Sequence, residues 1–197
     1  GIDGYSGKDA LWGVMYFHER MQEAYKNWVR YLYTTPNEYT GIALKDEPAV
    51  ALIQIQNEDG VFFWTMSNIK PELEALIASQ FTEWVEGKYG SLATARAHWG
   101  EAASLEGDDW EAGKLAVYDF YLFTQPPTEE NARRLRDQVE FYAYKQRSFY
   151  DEITAYYRHE LGCKQLINAN NWKTGNPGRL LDLERWSNAG ADVIATN

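Results

Sequence analysis

The chain is poor in the residues that would mark several chemistries. It has one cysteine, Cys163, so it can build neither a disulfide framework nor a cysteine-based metal site within one chain. Cys163 lies between Gly162 and an apolar run and reads as a buried structural thiol. Only three histidines are present, and His18, His98 and His159 stand too far apart for ligand spacing. No metal and no cofactor are therefore expected, and no phosphate-binding glycine motif is found. No stretch reaches the roughly 18–20 apolar residues of a membrane span, so no membrane partner is expected. Basic residues are few, 19 Lys and Arg against 29 Asp and Glu, for a net charge of -10. That balance argues against nucleic acid, whose phosphates need clustered cations. The short run Arg133-Arg134-Leu135-Arg136 lies beside Glu129, Glu130 and Asp137 in a helical pattern and reads as a solvated face.

Aromatic residues are abundant at 15%, with 8 Trp and 14 Tyr. They serve either a core of large side chains or surfaces that stack on flat ligands such as sugar rings. The length of 197 residues suits one domain. Phe17, Met21, Ala24, Trp28 and Leu32 form one stripe of a helix over about 16–34. Leu73, Leu76, Ile77, Phe81, Trp84 and Val85 do the same over 71–88, with Pro71 in the first turn. Ser91 can cap a short helix to Trp99, residues 100–127 are irregular, and a long helix runs from Thr128 until Gly162 stops it. A further helix covers about 179–189. Residues 49–55 form a short apolar run that suits a strand buried on both faces, and 164–168 and 191–195 are further strand candidates. Strands alternating with helices over long connections predict βαβ units and a parallel sheet.

Each of these strands ends in polar groups. The first ends in Asn57-Glu58-Asp59 and the second in Asn168, followed by Asn170-Asn171-Trp172. The third ends in Thr196-Asn197. In parallel α/β folds ligands bind at the carboxyl ends of strands. Amides donate and accept toward hydroxyls, and indole faces cover the apolar side of a sugar ring. Trp64, Asn170, Asn171, Trp172 and Asn197 are thus candidate substrate-binding residues for an oligo- or polysaccharide. Glu58 is the candidate proton donor, with Phe62, Phe63 and Trp64 as a low-dielectric wall to raise its pKa. The plainer readings stay open. Glu58 can cap a turn or pair with a cation, Asp59 can serve the turn at Gly60, and Asn171 and Trp172 can anchor and pack their loop.

The segment "NEYTGIALKDEPAVALIQIQNED", Asn37 to Asp59, resembles the lead-in and fourth strand of clan A glycoside hydrolases of the cellulase, mannanase and β-galactosidase type. "QLINANNW" resembles their fifth strand and "ADVIATN" their sixth. The resemblance implies a central piece of a (β/α)₈ TIM barrel, third helix through sixth strand, as a single incomplete catalytic domain over 1–197. It implies retaining O-glycosyl hydrolysis, with Glu58 as general acid/base, Asn57 as its partner at the sugar 2-hydroxyl, and a nucleophile outside this chain. It also implies a secreted or periplasmic setting, and a homo-oligomer or the missing barrel half to cover open sheet edges. A non-catalytic carbohydrate-binding or scaffolding module is the alternative.

Overall fold

The computed structural model describes residues 11, 13–69 and 71–195, and in it the helices form close to where spacing and caps put them. Helix α1 is Glu19–Thr34, α2 is Pro71–Tyr89 and α3 is Leu92–Trp99. The turn between α2 and α3 works as its residues suggest. Gly90 adopts a left-handed φ of 78°, and the Ser91 hydroxyl accepts the Thr94 N–H at 3.2 Å. A one-turn helix, α4, follows at Tyr121–Thr124, then the long α5 at Ala132–Ala155 and α6 at Pro177–Asn188. Helix α5 runs on through one wide turn, Tyr156–Glu160, before Gly162 ends it.

Among the described residues only two strands form, β1 at Leu52–Gln54 and β2 at Leu166–Asn168. They pair in parallel with Ile53 opposite Ile167. This overturns the expected architecture: a largely helical chain with one two-stranded sheet is not a partial (β/α)₈ barrel carrying strands three to six. The third expected strand fails for a visible reason. The Asp192 carboxylate accepts the Ile167 N–H at 2.8 Å, and the N–H groups of Asp192 and Val193 both donate to the Ile167 carbonyl. A side chain has taken the donor that a ladder would use, and one parallel bridge, Asn168 to Val193, remains. Nor are the strands buried on both faces. Ile53 and Ile167 enter the core, while Leu52 and Leu166 are 46% and 53% exposed on the other side.

A single buried cluster joins the inner face of the sheet to α2 and α5. It holds Ile53, Ile55 and Ile167, then Ile77, Phe81 and Val85, then Phe141, Phe149, Tyr150 and Ile153. Burying each large side chain contributes about 1.5–3 kcal/mol. Helix α1 turns differently from its apolar stripe. Val29 is fully buried while Trp28 is 59% and Leu32 41% exposed. The helix carries aromatic residues on both sides, so counting apolar positions misplaces the inner face. Tyr25 reaches inward instead, its hydroxyl donating to the Ile55 carbonyl at 3.0 Å.

The basic run is also not a solvated face throughout. Arg134 is fully buried and binds Asp108 through both terminal nitrogens, at 2.5 and 2.6 Å. It also donates to the carbonyls of Ala103 and Ala116. Those bonds fasten the irregular 100–118 segment to α5. Burial pushes the Asp108 pKa up, but the bonds and charge of Arg134 together with the Leu105 and Ala116 N–H groups outweigh it and leave the carboxyl below its usual range.

Candidate functional site

The carboxyl ends of β1 and β2 lie side by side, because the parallel pairing continues past the strands. Ile55 N–H donates to the Asn168 carbonyl and Gln56 N–H to the Ala169 carbonyl. The two chains then diverge into the loops that carry the candidate residues. Glu58 has a left-handed backbone, φ 51°, the one non-glycine residue so placed among those described. That conformation is costly for an L residue with a long side chain and concentrates at functional sites. The Glu58 N–H donates to Asn171 Oδ1 at 3.2 Å. Asn57 Oδ1 accepts from Gln54 Nε2 at 2.9 Å and, at a longer 3.5 Å, from Asn171 Nδ2. Asn57, Glu58 and Asn171 are thereby held in one clasp across the two strand ends. Asn57 and Glu58 are exposed.

Two edge-on aromatic pairs involve residues that follow the clasp along the chain. Trp172 meets Phe63 with ring centres 4.6 Å apart, and Trp64 meets Phe120 at 5.3 Å. Trp64 is 40% exposed and Trp172 half-buried. The 170s loop is drawn onto this layer by Gly175, whose N–H donates to the Phe62 carbonyl at 2.8 Å. A Cβ at Gly175 would stand 2.9 Å from the Phe120 ring, so the close approach requires glycine. The expected wall around Glu58 is only partly built, since Phe62 turns into the core and leaves the Glu58 side chain exposed.

Asn170 is not on the rim. It is fully buried beneath it, in a polar network that sequence reasoning did not find. Its Nδ2 donates to the Asp59 carbonyl at 2.7 Å and to Glu184 Oε1 at 3.3 Å, and its Oδ1 accepts the Asn171 N–H at 2.8 Å. Glu184, from α6, also accepts from Gln146 and Asn188. Asp59 accepts the N–H groups of Gly13 and Gly60, both at 2.9 Å. The Tyr16 hydroxyl donates to the Asp59 carbonyl and meets the Tyr150 hydroxyl at 2.8 Å.

Asp59 and Glu184 are 5% and 3% exposed. Burial raises both carboxyl pKa values, against hydrogen bonds from Gly13, Thr65 and Gly60 for Asp59 and from Gln146, Asn188 and Asn170 for Glu184. Burial also raises Tyr16 and Tyr150, and the nearby carboxylates add to it. Asp59 is thus more than a turn residue. The signal for Glu184 was positional: it lies four residues after the buried Leu180, on the inward face of α6.

Asn197 lies outside the described residues. A cleft of about 540 Å³ lies away from the rim, between α2 and residues 107–117, walled by Ala75, Ala78, Leu115 and Val117. No helix among the described residues is long and apolar enough to cross a membrane. Compared with known proteins, the chain matches no family model, no curated protein and no solved structure.

Proposed function

We propose that the rim of Asn57, Glu58, Asn171, Trp172 and Trp64 is part of a glycoside-hydrolase site that acts on an oligo- or polysaccharide. The observation that carries this reading is the clasp: a carboxylate residue in a strained backbone, held by an amide from the neighbouring strand end, with the half-buried Trp172 next in the chain after that amide. In this role Glu58 donates a proton to the glycosidic oxygen and later takes one from water. Asn57 and Asn171 hold sugar hydroxyls, and Trp172 and Trp64 cover ring faces. The proposal rests on these residues and on the likeness of Asn37–Asp59 to the clan A lead-in, and it needs no barrel.

Retaining hydrolysis takes two carboxyl groups about 5–5.5 Å apart. The neighbouring Asp59 and Glu184 are buried and bonded into the interior network. In this reading the nucleophile lies outside this chain. The same observation favours a second reading, a sugar-binding surface without hydrolysis.

Calorimetric titration with a panel of β-linked oligosaccharides tests the first requirement of both. At least one should bind, and Trp172→Ala should weaken it about tenfold through the lost stacking. Glu58→Gln should leave that affinity nearly unchanged. No binding across the panel, or binding indifferent to Trp172→Ala, would end the proposal. Aryl-glycoside turnover then separates the readings. A rate lost in Glu58→Gln means hydrolysis, and its absence with binding intact means a binding surface.

A further inference from the structure

The polar network beneath the rim has a hydrogen-bond logic that fixes the role of Glu184. Backbone donors set the surrounding amides first. Val61 N–H occupies Gln146 Oε1 at 2.9 Å, and Asn171 N–H occupies Asn170 Oδ1 at 2.8 Å. Both amides must then turn their NH₂ groups toward Glu184, which accepts from Gln146 at 2.9 Å, from Asn170 at 3.3 Å and from Asn188 at 3.0 Å. As placed, all three turn an N–H toward the carboxyl, and an ionised carboxylate accepts each more strongly than a protonated one does.

Helix α5 faces this carboxylate with Gln146 and Tyr150, the Val14–Tyr16 turn with Tyr16, and the end of β1 with Asp59. Arg147 is engaged elsewhere, on Asp151 and the Trp186 carbonyl. No cation is among these facing groups. The charge is held by amide donors alone.

We propose that Glu184 is a positioning residue for the rim: its carboxylate and the Asp59 carbonyl together orient Asn170, Asn170 fixes the Asn171 main chain, Asn171 holds Glu58, and protonation of Glu184 loosens this sequence of bonds. Protonation removes the charge that strengthens these three bonds. Asn170 makes the longest of them and loosens first, keeping its 2.7 Å bond to the Asp59 carbonyl. This is a local step. Burial works against the amide donors and raises the Glu184 pKa, which brings its protonation within reach of a titration. The consequence for sugar binding rests on the function proposed above, but the bonds themselves can be followed without a sugar.

The experiment is an NMR pH titration of the whole chain. The Glu184 side-chain carboxyl carbon gives its midpoint. Resonances of the Asn170 side-chain amide and of the Asn171 and Glu58 main-chain amides should share that midpoint. Corrected exchange protection at Asn171 and Glu58 should fall by a factor of a few up to about tenfold on its acid side, as the bonds that hold Asn170 weaken. Phe141, in the middle of α5, should not respond. In Glu184→Gln the inflection at the Glu184 midpoint should vanish from these amides. Amides blind to the Glu184 midpoint, or an inflection that persists in Glu184→Gln, would overturn the proposal. If that variant fails to fold, the wild-type titration alone decides. A rim that co-titrates but binds no sugar refutes the proposed function and leaves this inference standing; the converse result does the reverse.

Discussion

At the scale of single residues, Glu58 carries one clear cost, a left-handed backbone, on an exposed side chain. Glycine has no Cβ and adopts that backbone freely. Glu58→Ala keeps the strain and Glu58→Gly removes it, so the glycine variant should be the more stable by about 1 kcal/mol after its larger unfolded-state entropy is counted. Urea unfolding of the two variants measures this. An alanine variant as stable as the glycine variant would show that the backbone is not strained. The sequence made the adjacency of Asn57 and Glu58 at a strand end legible, because an apolar run stopping at polar residues is a local signal. It did not show that Asn170 is buried while Asn171 is at the surface. Adjacent residues in a loop alternate by hydrogen bonding that only the packed neighbours define.

At the scale of elements, helices were legible and strands were not. Caps and breakers such as Ser91, Pro71 and Gly162 act within a few residues of themselves, and α2, α3 and α5 end where these stand. A strand depends on what lies beside it. Residues 191–195 have a strand-like composition, yet the Asp192 side chain takes the ladder donor of Ile167. The face of α1 was misplaced for a related reason: Tyr25 and Val29 go inward through contacts with distant residues, which no periodicity encodes.

The 170s loop offers an element-scale test. Gly175→Ala would push its methyl against Phe120, which supports Trp64. We expect a loss of about 1–3 kcal/mol from overpacking, and a changed tryptophan emission as Trp64 shifts. Unfolding curves and fluorescence together check it; unchanged emission with unchanged stability would mean the loop does not brace the aromatic layer.

At the scale of the whole molecule, stability should depend on pH through groups that pull in opposite directions. Asp59 and Glu184 have raised folded pKa values. Their contribution is full below the unfolded pKa, about 4 for a carboxyl, and is lost as pH rises through the folded values. Asp108, held low by Arg134, contributes above its unfolded pKa and loses that contribution as pH falls through its folded value. Glu184→Gln lacks one group of the first kind. Its stability relative to wild type should therefore improve as pH rises from about 4.5 to 8. Urea midpoints across that range check the sign, and a constant difference would show that Glu184 titrates alike in both states. The one-core organisation was legible from length and apolar content. The barrel was not there to be read, since the resemblance lay in a short segment and sheet closure depends on strands that do not form.

The central claim is that a sugar sits on the Asn57–Glu58–Asn171 clasp and against Trp172 and Trp64. The most direct measurement is a map of amide and indole NMR shifts as an oligosaccharide bound in the calorimetric panel is added. The account predicts that the largest changes fall at Asn57, Glu58, Asn171 and the Trp172 and Trp64 indoles. Changes centred on the cleft between α2 and residues 107–117, with the clasp silent, would contradict it.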